Sequence, residues 1–433
     1  MQIESLSRDP RPLRVAEISL SALRHNVAIA RATAPGPGPG PDLGPGQGPT
    51  PGQGGAQARR QRPPSRAIVV VKANAYGHGA GIVAPAVIAG GAAMVAVASL
   101  DEALALRAGG FTSPILCWLH GEELDYVAAI RHRIELGLST AQQLRGLSTV
   151  AHLLGATARA QLKLDTGLSR NGATPEDWEE LCASAAAAQR AGTVHFSGVF
   201  SHLANAGPEA DSAQAARFDA GVRTLAAHGV HPDMHHLAAS AATLAAPHLR
   251  YDTVRIGIAA YGLRPDATAT PGGSALRPVM TLASRIVALR TVPAGTGVSY
   301  GFTHVCERES TLALVPFGYA DGMPRALNGS GATVSIGGVR APIVGRIGMD
   351  QCIIDVTALA PQPRVGDRVV LFGDPALGHP AVEEWASRLD TIAYEIVSRI
   401  GERVHRVAAD AADTADTADT VDTADANFTQ ARI

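Results

Sequence analysis

The sequence predicts a (β/α)8 barrel followed by a mostly β second domain. Between residues 67 and 259, short apolar runs rich in β-branched residues alternate with helical patterns, as in a parallel sheet with crossover helices. Eight such runs favour a closed barrel over an open doubly wound sheet. No Gly-x-Gly-x-x-Gly motif follows the first run, which argues against a dinucleotide-binding sheet. Past Pro265 the runs are broken by Gly and Pro, which is typical of a β-rich domain.

The individual elements follow from these patterns. Residues 15–32 have apolar residues at helical spacing and predict a helix, with Ser19 or Ser21 as its N-cap. The eight predicted strands of the barrel cover residues 67–72, 92–98, 114–119, 133–138, 159–165, 194–201, 234–239 and 253–259. Predicted helices between them include residues 101–108, 175–191 and 210–228. In the second domain we expect strands at 281–289, 311–315, 333–336, 353–356 and 368–372, and one helix near 382–389.

Composition divides the chain into domains and connecting segments. We expect a flexible leader at residues 1–13, a barrel domain at 14–265 and a β domain at 275–407. Residues 33–65 are dominated by Gly and Pro and predict a disordered insert within the barrel domain. Residues 408–433 repeat Ala-Asp-Thr, lack large apolar residues in most positions, and predict a disordered tail.

Charge and cysteine content exclude several classes of function. The 433 residues carry a net charge of −2, without the basic surface that nucleic-acid binding needs. No apolar run is long enough to span a membrane, and the N-terminus does not resemble a signal peptide. The four cysteines are scattered without metal-ligand spacing, so we expect no metal site and a reducing, cytoplasmic location.

Lysine is unusually scarce in this chain. There are 35 arginines but only two lysines, Lys72 and Lys163. Lys72 ends the first predicted strand, at the carboxyl edge where barrels of this class place their catalytic groups. A buried lysine can lose its proton and form an imine, whereas an arginine can do neither. The position of Lys72 therefore favours imine chemistry over an ordinary solvated charge.

Other polar residues lie at or just beyond the ends of later strands. They are Lys163, Asp165, Arg170, His202, Ser240, Arg255 and Gly257. Arginine, hydroxyl groups and glycine amides suit a phosphorylated cofactor, and a lysine that can form an imine makes pyridoxal phosphate the natural choice. Taken singly, these residues leave simpler roles open: an ion pair of Lys163 with Asp165, a core histidine at 202, a helix N-cap at Ser240, and a core tyrosine at Tyr300.

Residues 70–79, Val-Val-Lys-Ala-Asn-Ala-Tyr-Gly-His-Gly, closely resemble the cofactor-attachment motif of alanine racemases. The similarity extends from about residue 14 to residue 407. Further matching motifs are Leu-Asp-Thr-Gly-Leu-Ser-Arg at 164–170, Ser-His-Leu-Ala at 201–204, Ser-Ala-Ala-Thr-Leu at 240–244, Val-Arg-Ile-Gly-Ile at 254–258, Gly-Val-Ser-Tyr-Gly at 297–301, Gly-Tyr-Ala-Asp-Gly at 318–322 and Gly-Met-Asp at 348–350. The resemblance implies pyridoxal-phosphate-dependent interconversion of L-alanine and D-alanine, which supplies D-alanine for peptidoglycan.

The resemblance also implies a head-to-tail homodimer, in which the second domain of each chain completes the active site of the other. Lys72 would hold the cofactor and act as one catalytic base, and Tyr300 from the partner chain would act as the other. The two bases would lie on opposite faces of the cofactor, because inversion at Cα removes a proton from one face and returns one to the other. By resemblance, Lys72 serves the D-enantiomer and Tyr300 serves the L-enantiomer.

The family assigns roles to the remaining motif residues as well. His202 would pack against the cofactor ring, and Arg255 would contact its pyridine nitrogen. The phosphate would be held by Tyr76, Ser240, Tyr394 and the backbone of Gly257 and Ile258.

The same resemblance implies which residues contact the substrate. Arg170 would contact the ring oxygen and the substrate carboxylate, Met349 would offer its backbone N–H, and Tyr319 would line the entrance. Lys163 matches the position that the family carbamylates, and its carbamate would hold Arg170.

A few positions depart from the family pattern. Ala239 stands where the family usually has Asn, Ser169 and Gly348 differ from common choices, and residues 403–406 lack the usual proline. None of these changes affects the two bases. A serine or broad-specificity racemase is the main alternative. A decarboxylase of the same plan would need a Gly-rich phosphate loop that the sequence lacks, and non-catalytic cofactor-carrying barrels have no second domain.

Overall fold

Runs of buried β-branched residues form parallel strands in the computed structural model, which describes residues 12–33, 65–265 and 276–409. Residues 68–71, Ile-Val-Val-Val, are almost wholly buried, as expected for a strand covered on both faces. In chain order the elements up to residue 265 are β1 (Val15–Ser19), α1 (Leu20–Thr33), β2 (Arg66–Val70), α2 (Lys72–Tyr76), α3 (Ala80–Ala89), β3 (Met94–Val97), α4 (Leu100–Ala108), β4 (Ile115–Cys117), α5 (Tyr126–Arg131), β5 (Ile134–Leu138), α6 (Ala141–Leu153), β6 (Ala158–Lys163), α7 (Trp178–Arg190), β7 (Val194–Phe200), α8 (Pro208–Ala227), β8 (His235–His236), α9 (Ser240–Ala245) and β9 (Thr253–Ile256).

Strands β2 to β9 form the barrel that the sequence predicts. From β2 to β8 each strand pairs in parallel with the next one in the chain, and β9 returns to pair with β2. The backbone N–H of Arg255 in β9 donates to the carbonyl of Ala238, just beyond β8, at 3.0 Å. This bond crosses the last gap, so the eight strands make a nearly closed (β/α)8 barrel with all carboxyl ends at one rim.

Several helices of the barrel begin at side-chain caps. Ser99 accepts the backbone N–H of Glu102 at the start of α4, and Asp125 accepts that of Ala128 at the start of α5. Such caps satisfy N–H groups that have no partner within the helix. The predicted helices at 101–108, 175–191 and 210–228 correspond to α4, α7 and α8.

The second domain is mostly β, as predicted. Its elements are β10 (Met280–Arg285), β11 (Ala288–Val292), β12 (Gly297–Val298), β13 (His304–Val305), β14 (Ser310–Val315), β15 (Thr333–Ile336), β16 (Val339–Val344), β17 (Cys352–Asp355), β18 (Arg368–Phe372), α10 (Val382–Arg388), α11 (Ala393–Ser398) and β19 (His405–Ala409). Nine strands are hydrogen-bonded in the order β11-β14-β17-β16-β15-β18-β10-β1-β19.

The single strand predicted at 281–289 is wrong, because two strands occupy this run. The backbone N–H of Ile286 donates to Asp367, next to β18, whereas that of Val287 donates to Leu314 in β14. The chain therefore changes partners between these two residues, and β10 and β11 pair with different strands. The apolar pattern continues across the break, so it carries no signal of the change.

The first strand of the described residues pairs within the sheet of the second domain. Residues 15–19, included in the predicted helical run, form β1, which pairs antiparallel with β10 and parallel with β19. Ala16 and Ile18 are buried and alternate with partly exposed neighbours, and α1 begins only at Leu20. The helix predicted over residues 15–32 is therefore wrong in its first five residues. An alternation of two buried residues is too short to distinguish from the helical spacing that follows it.

The predicted leader, insert and tail fall almost entirely outside the described residues. Of the predicted tail, Ala408 and Ala409 are described and end β19. Among the described helices, none combines the length and the apolar character needed to cross a bilayer.

Candidate active site

Lys72 lies at the carboxyl rim of the barrel, immediately after β2, where the backbone takes an unusual course. The four residues that follow it, from Ala73 to Tyr76, all have φ between 52° and 55°. For residues with a Cβ, the left-handed region costs roughly 1–2 kcal/mol per residue. The surrounding structure must therefore stabilise this turn. The turn in turn fixes the backbone position from which the Lys72 side chain extends.

Glu102 supplies much of that stabilisation. Its Oε1 accepts the backbone N–H of Ala73 at 2.6 Å, and its Oε2 accepts the N–H of Ala98 at 2.8 Å. On the other side of the turn, Asn74 Oδ1 accepts the N–H of Ala80 at 2.7 Å. Sequence reasoning missed Glu102. The Ser-x-x-Glu capping pattern at 99–102 could have located the cap, but not its contact with the turn after Lys72.

The surroundings of Lys72 favour its neutral form. Burial lowers the pKa of its ammonium group, and the nearby Arg170 guanidinium lowers it further, against the smaller opposing effect of Glu102. Its Nζ lies 6.0 Å from the centre of the Tyr76 ring. A lysine in this setting can act as a nucleophile or accept a proton.

A cluster of N–H and hydroxyl groups lies beside Tyr76. Ser240 Oγ accepts the backbone N–H groups of Gly257 at 3.0 Å and Ala259 at 3.3 Å. A Cβ at position 257 would lie 2.5 Å from the Tyr76 hydroxyl, so only glycine allows this approach. Ile258 follows Gly257 and is fully buried. Such convergent donors suit a phosphate group.

Two aromatic rings support Tyr76 from the other side. Its ring centre lies 4.9 Å from that of Tyr261 and 6.1 Å from that of Tyr394 in α11. Burial and Tyr394 raise the pKa of the Tyr76 hydroxyl, so this group stays protonated and can donate. The second domain of the same chain thus contributes Tyr394 to the surroundings of Tyr76.

Arg255 in β9 is buried at the centre of the rim. Its Nη2 donates to His202 Nδ1 at 2.9 Å and to the Ser201 carbonyl at 2.7 Å, while Nη1 donates to His236 Nδ1 at 3.0 Å. Burial and Arg170 lower the pKa of Arg255 to about 10, which leaves it charged at neutral pH. Burial and Arg255 lower the pKa of His202 to about 3, which keeps that imidazole neutral.

Lys163 lies next to Arg255 at the end of β6. Its Nζ is 5.8 Å from the centre of the Phe200 ring, against which the Arg255 guanidinium also packs. Burial, Arg255 and Arg170 lower the pKa of Lys163 to about 8. Asp165 accepts the backbone N–H of Gly167 at 2.9 Å and stabilises the next turn, and its charge acts against the lowering of the Lys163 pKa.

Tyr300, Tyr319 and Met349 form a second group, on the surface of the second domain. Their exposed fractions are 72%, 41% and 55%. The Tyr300 ring approaches Gly348, and the Tyr319 backbone N–H donates to the Gly348 carbonyl at 3.2 Å. Within the described residues of one chain, no hydrogen bond joins Tyr300 to Lys72. The predicted site residues therefore lie in two groups, one at the barrel rim and one on the second domain.

A buried carboxylate supports the second group. Asp321 is fully buried and lies 2.9 Å from Arg14 Nε and 3.2 Å from Arg403 Nε. Its other oxygen accepts the backbone N–H of Gly318 at 2.9 Å, just before Tyr319. Arg14 precedes β1 and Arg403 precedes β19, so the turn that carries Tyr319 is held by residues next to two neighbouring strands at one edge of the sheet.

Ala239 occupies the N-cap position of α9, directly before Ser240. Its side chain makes no cap hydrogen bond, whereas asparagine at this position could satisfy one of the first N–H groups of the helix. The departure from the family pattern thus removes a local cap next to Ser240.

Comparison with known proteins places both halves of the chain with one family. The model of the alanine racemase N-terminal domain matches residues 56–265, and that of the C-terminal domain matches residues 279–408. Alanine racemase of Frankia casuarinae is 45% identical over 339 residues, which cover 77% of this chain and 88% of that protein. Alanine racemase of Thermobifida fusca is 44% identical over 340 residues, with 78% and 89% covered. The crystal structure of alanine racemase from D-cycloserine-producing Streptomyces lavendulae superposes with a TM-score of 0.80 at 41% identity, covering 92% of this chain and 97% of that chain.

Proposed function

The chain belongs to the alanine racemase family, and on that premise we propose that it interconverts L-alanine and D-alanine with pyridoxal phosphate as cofactor. The observation that carries the proposal is the arrangement at the barrel rim. A lysine whose pKa is lowered by burial, a buried arginine and a cluster of N–H and hydroxyl donors converge there.

The residues present fit the cofactor. Its phosphate matches the cluster made by Ser240, Tyr76 and the backbone of Gly257 and Ile258, where a Cβ at position 257 would leave no room. Lys72 would hold the cofactor through its side-chain amine. The chemistry supplied by bound pyridoxal phosphate is delocalisation of the electron pair that the substrate Cα–H bond leaves behind.

Arg255 would donate to the pyridine nitrogen. Its Nη1 and Nη2 groups already donate to acceptors of the protein, which leaves the Nε–H for a bound ring. Because the guanidinium stays charged at neutral pH, it donates a hydrogen bond without giving up its proton. This donation from Arg255 would therefore leave the pyridine nitrogen of the bound cofactor unprotonated.

Lys72 would move the proton on one face of the substrate. Its lowered pKa makes the neutral amine, which accepts a proton from Cα, more accessible at physiological pH. The protonated amine returns a proton in the opposite direction of the reaction.

Tyr300 of a second chain would serve the other face. Its side chain is largely exposed in one chain, and it lies with Tyr319 and Met349 on one surface of the second domain. We infer a homodimer in which this surface covers the barrel rim of the partner. Tyr300 then faces Lys72 across the substrate, Met349 offers its backbone N–H to the substrate carboxylate, and Tyr319 lines the entrance.

Lys163 is proposed to carry a carbamate. The neutral amine attacks carbon dioxide, its nitrogen forms a C–N bond, and one proton is released, so the side chain becomes an anion. A pKa of about 8 gives a reactive neutral fraction near neutral pH. The resulting carbamate would attract Arg170, which would contact the ring oxygen of the cofactor and the substrate carboxylate.

We further infer that the D-alanine supplies peptidoglycan synthesis in the cytoplasm. All four cysteines are buried free thiols, which is consistent with a reducing compartment.

Racemisation assays test the proposal directly. The protein loaded with pyridoxal phosphate is incubated with L-alanine or D-alanine, and the change in optical activity is followed in both directions. We expect conversion of both enantiomers, and no conversion by Lys72→Ala. Failure to convert alanine despite bound cofactor would overturn the proposal.

Comparison with L-serine and L-lysine tests the alternative of another or broader substrate range. Release of carbon dioxide from a basic amino acid would instead indicate a decarboxylase.

A further inference from the structure

A series of buried polar side chains crosses the barrel interior from β5 to β9. Glu135, Gln161, His236 and Arg255 are 4%, 0%, 0% and 3% exposed. Gln161 Nε2 lies 3.1 Å from Glu135 Oε2, and Gln161 Oε1 lies 2.7 Å from His236 Nε2. His236 Nδ1 in turn lies 3.0 Å from Arg255 Nη1. These four residues, termed the barrel relay below, connect the lower barrel interior to the rim.

The hydrogen bonds of the barrel relay can run in only one donor-to-acceptor direction, because of the chemistry of its two end residues. A guanidinium only donates, so His236 Nδ1 must accept from Arg255. The proton of the neutral imidazole then lies on Nε2 and is donated to Gln161 Oε1. This orientation turns the Gln161 amide N–H toward Glu135, whose carboxylate only accepts. Every hydrogen bond of the relay is satisfied in this direction.

Glu135 is firmly established as an acceptor by two further donors. Arg159 Nε lies 2.7 Å from its Oε1, and Ser197 Oγ lies 2.5 Å from its Oε2. With Gln161, three donors therefore surround this buried carboxylate. A buried charge requires such partners, and removing the charge also removes the reason for the amide to face it.

The relay also connects Arg255 to an anion. In the described part of the chain, the Arg255 guanidinium donates to the imidazoles of His202 and His236 and to backbone carbonyls, not to a carboxylate. Burial and Arg255 hold the pKa of His236 well below its usual range, so His236 remains a neutral link. A buried cation without a nearby anion is costly, and Glu135 lies at the other end of the relay.

Neighbouring residues leave room for this arrangement and hold it in place. A Cβ at Gly198 in β7 would lie 2.9 Å from Gln161 Oε1, so glycine there provides the space that the amide occupies. The Phe200 ring stacks on the His236 imidazole at 4.9 Å with an interplanar angle of 6°. The amide and the imidazole are therefore held in place by packing as well as by hydrogen bonds.

We propose that Glu135 is a positioning residue for Arg255: its carboxylate orients Gln161, which fixes the His236 proton on Nε2 and keeps Nδ1 as the acceptor for Arg255. The inference rests on the proposed function, in which Arg255 donates to the pyridine nitrogen of the cofactor. A neutral side chain at position 135 would let the amide of Gln161 rotate. Arg255 alone would then favour the tautomer of His236 with its proton on Nε2, so the other tautomer would become accessible and the guanidinium would lose one fixed acceptor.

The first test uses the protein without cofactor. Histidine is labelled with ¹⁵N, and the His236 ring signals are assigned by comparison with His236→Asn. We expect a single tautomer with the proton on Nε2 in the wild type, and a mixture of tautomers in Glu135→Gln. An unchanged single tautomer in Glu135→Gln would overturn the proposal.

The second test measures the affinity for pyridoxal phosphate by absorbance titration. Glu135→Gln and Gln161→Met should each weaken binding by about tenfold, the factor expected for loss of one buried hydrogen bond to a charged group. The double variant should bind no more weakly than either single variant, because both changes break one relay. Additive losses would contradict the relay. Glu180→Gln, which removes an exposed pair with Arg145 at 2.8 Å, is the matched control and should bind like the wild type.

The two proposals fail in different ways. A wild-type protein that does not racemise alanine would refute the proposed function and leave the tautomer result unaffected. A His236 tautomer that does not depend on Glu135 would refute the relay whether or not alanine is racemised. If Glu135→Gln does not fold, Gln161→Met, which keeps the net charge, carries the same two measurements.

Discussion

Replacing Glu102 with alanine tests how the fold positions Lys72. The carboxylate accepts three backbone N–H groups, those of Ala73 at 2.6 Å, Ala98 at 2.8 Å and Ser99 at 3.2 Å. The first of these lies in the left-handed turn that begins directly after the lysine. Loss of the carboxylate therefore leaves a strained turn without one of its main supports.

The expected destabilisation follows from these contacts. A hydrogen bond to a charged group contributes about 1.5–3 kcal/mol when buried, and Glu102 is only partly buried. Water can replace part of what is lost, so we expect a total of about 3 kcal/mol for the three bonds. In a domain of this size, that lowers Tm by roughly 6–12 °C. Relaxation of the turn should also displace Lys72 and slow its covalent attachment to the cofactor.

Thermal unfolding followed by circular dichroism measures the first effect, and the rise of absorbance after addition of pyridoxal phosphate measures the second. Asp101→Ala is the matched control, because Asp101 is exposed in the same first turn of α4. We expect it to change stability by less than about 1 kcal/mol. If Glu102→Ala behaved like Asp101→Ala in both assays, Glu102 would not be what holds the turn.

Three further predictions concern the cofactor cluster and the second lysine. Ala239→Asn should add an N-cap to α9 and stabilise the protein by about 1 kcal/mol, measured by thermal unfolding; an unchanged Tm would show that no cap forms. Ser240→Ala should weaken cofactor affinity by about tenfold through loss of a phosphate-binding hydroxyl, measured by absorbance titration; unchanged affinity would place the phosphate elsewhere. The carbamate of Lys163 should be detected by ¹³C NMR under ¹³CO₂ and should decline as pH falls through about 8, because protonation removes the reactive neutral amine. Lys163→Arg should abolish this signal, and a signal that persists in that variant would place the carbamate elsewhere.

The barrel was predictable because each of its strands is indicated by a short run of neighbouring residues. Residues 68–71 are a run of β-branched residues, and similar runs recur before each helical pattern. In contrast, β1 pairs with β10 and β19, which lie more than 250 residues farther along the chain. No local periodicity contains that information, so the sequence pattern assigns residues 15–19 to the helix that follows them.

The site was predictable only where its residues stand at strand ends or in motifs. Lys72 met both conditions. The scarcity of lysine in an arginine-rich chain added a chemical reason to expect a role for it. Glu135 and Gln161 stand inside strands, where a polar residue gives no indication of its partner. Only closure of the barrel brings side chains of β5, β6, β8 and β9 together in one interior.

The central claim is that each active site combines Lys72 of one chain with Tyr300 of its partner. The single variant Tyr300→Phe should slow racemisation in both directions by about 10²–10⁴-fold, the usual contribution of a general acid–base group. Nearly full activity in this variant would remove Tyr300 from the mechanism. Lys72→Ala should be inactive as well.

Mixing these two inactive variants, with dissociation and reassociation of the chains, tests the claim most directly. Random pairing makes about half of the dimers mixed, and each mixed dimer contains one site with both native residues. We therefore predict recovery of about a quarter of wild-type activity. Lys72→Ala mixed with the double variant Lys72→Ala/Tyr300→Phe is the control and should recover none. If the first mixture were no more active than its separate components, the two bases would not come from different chains.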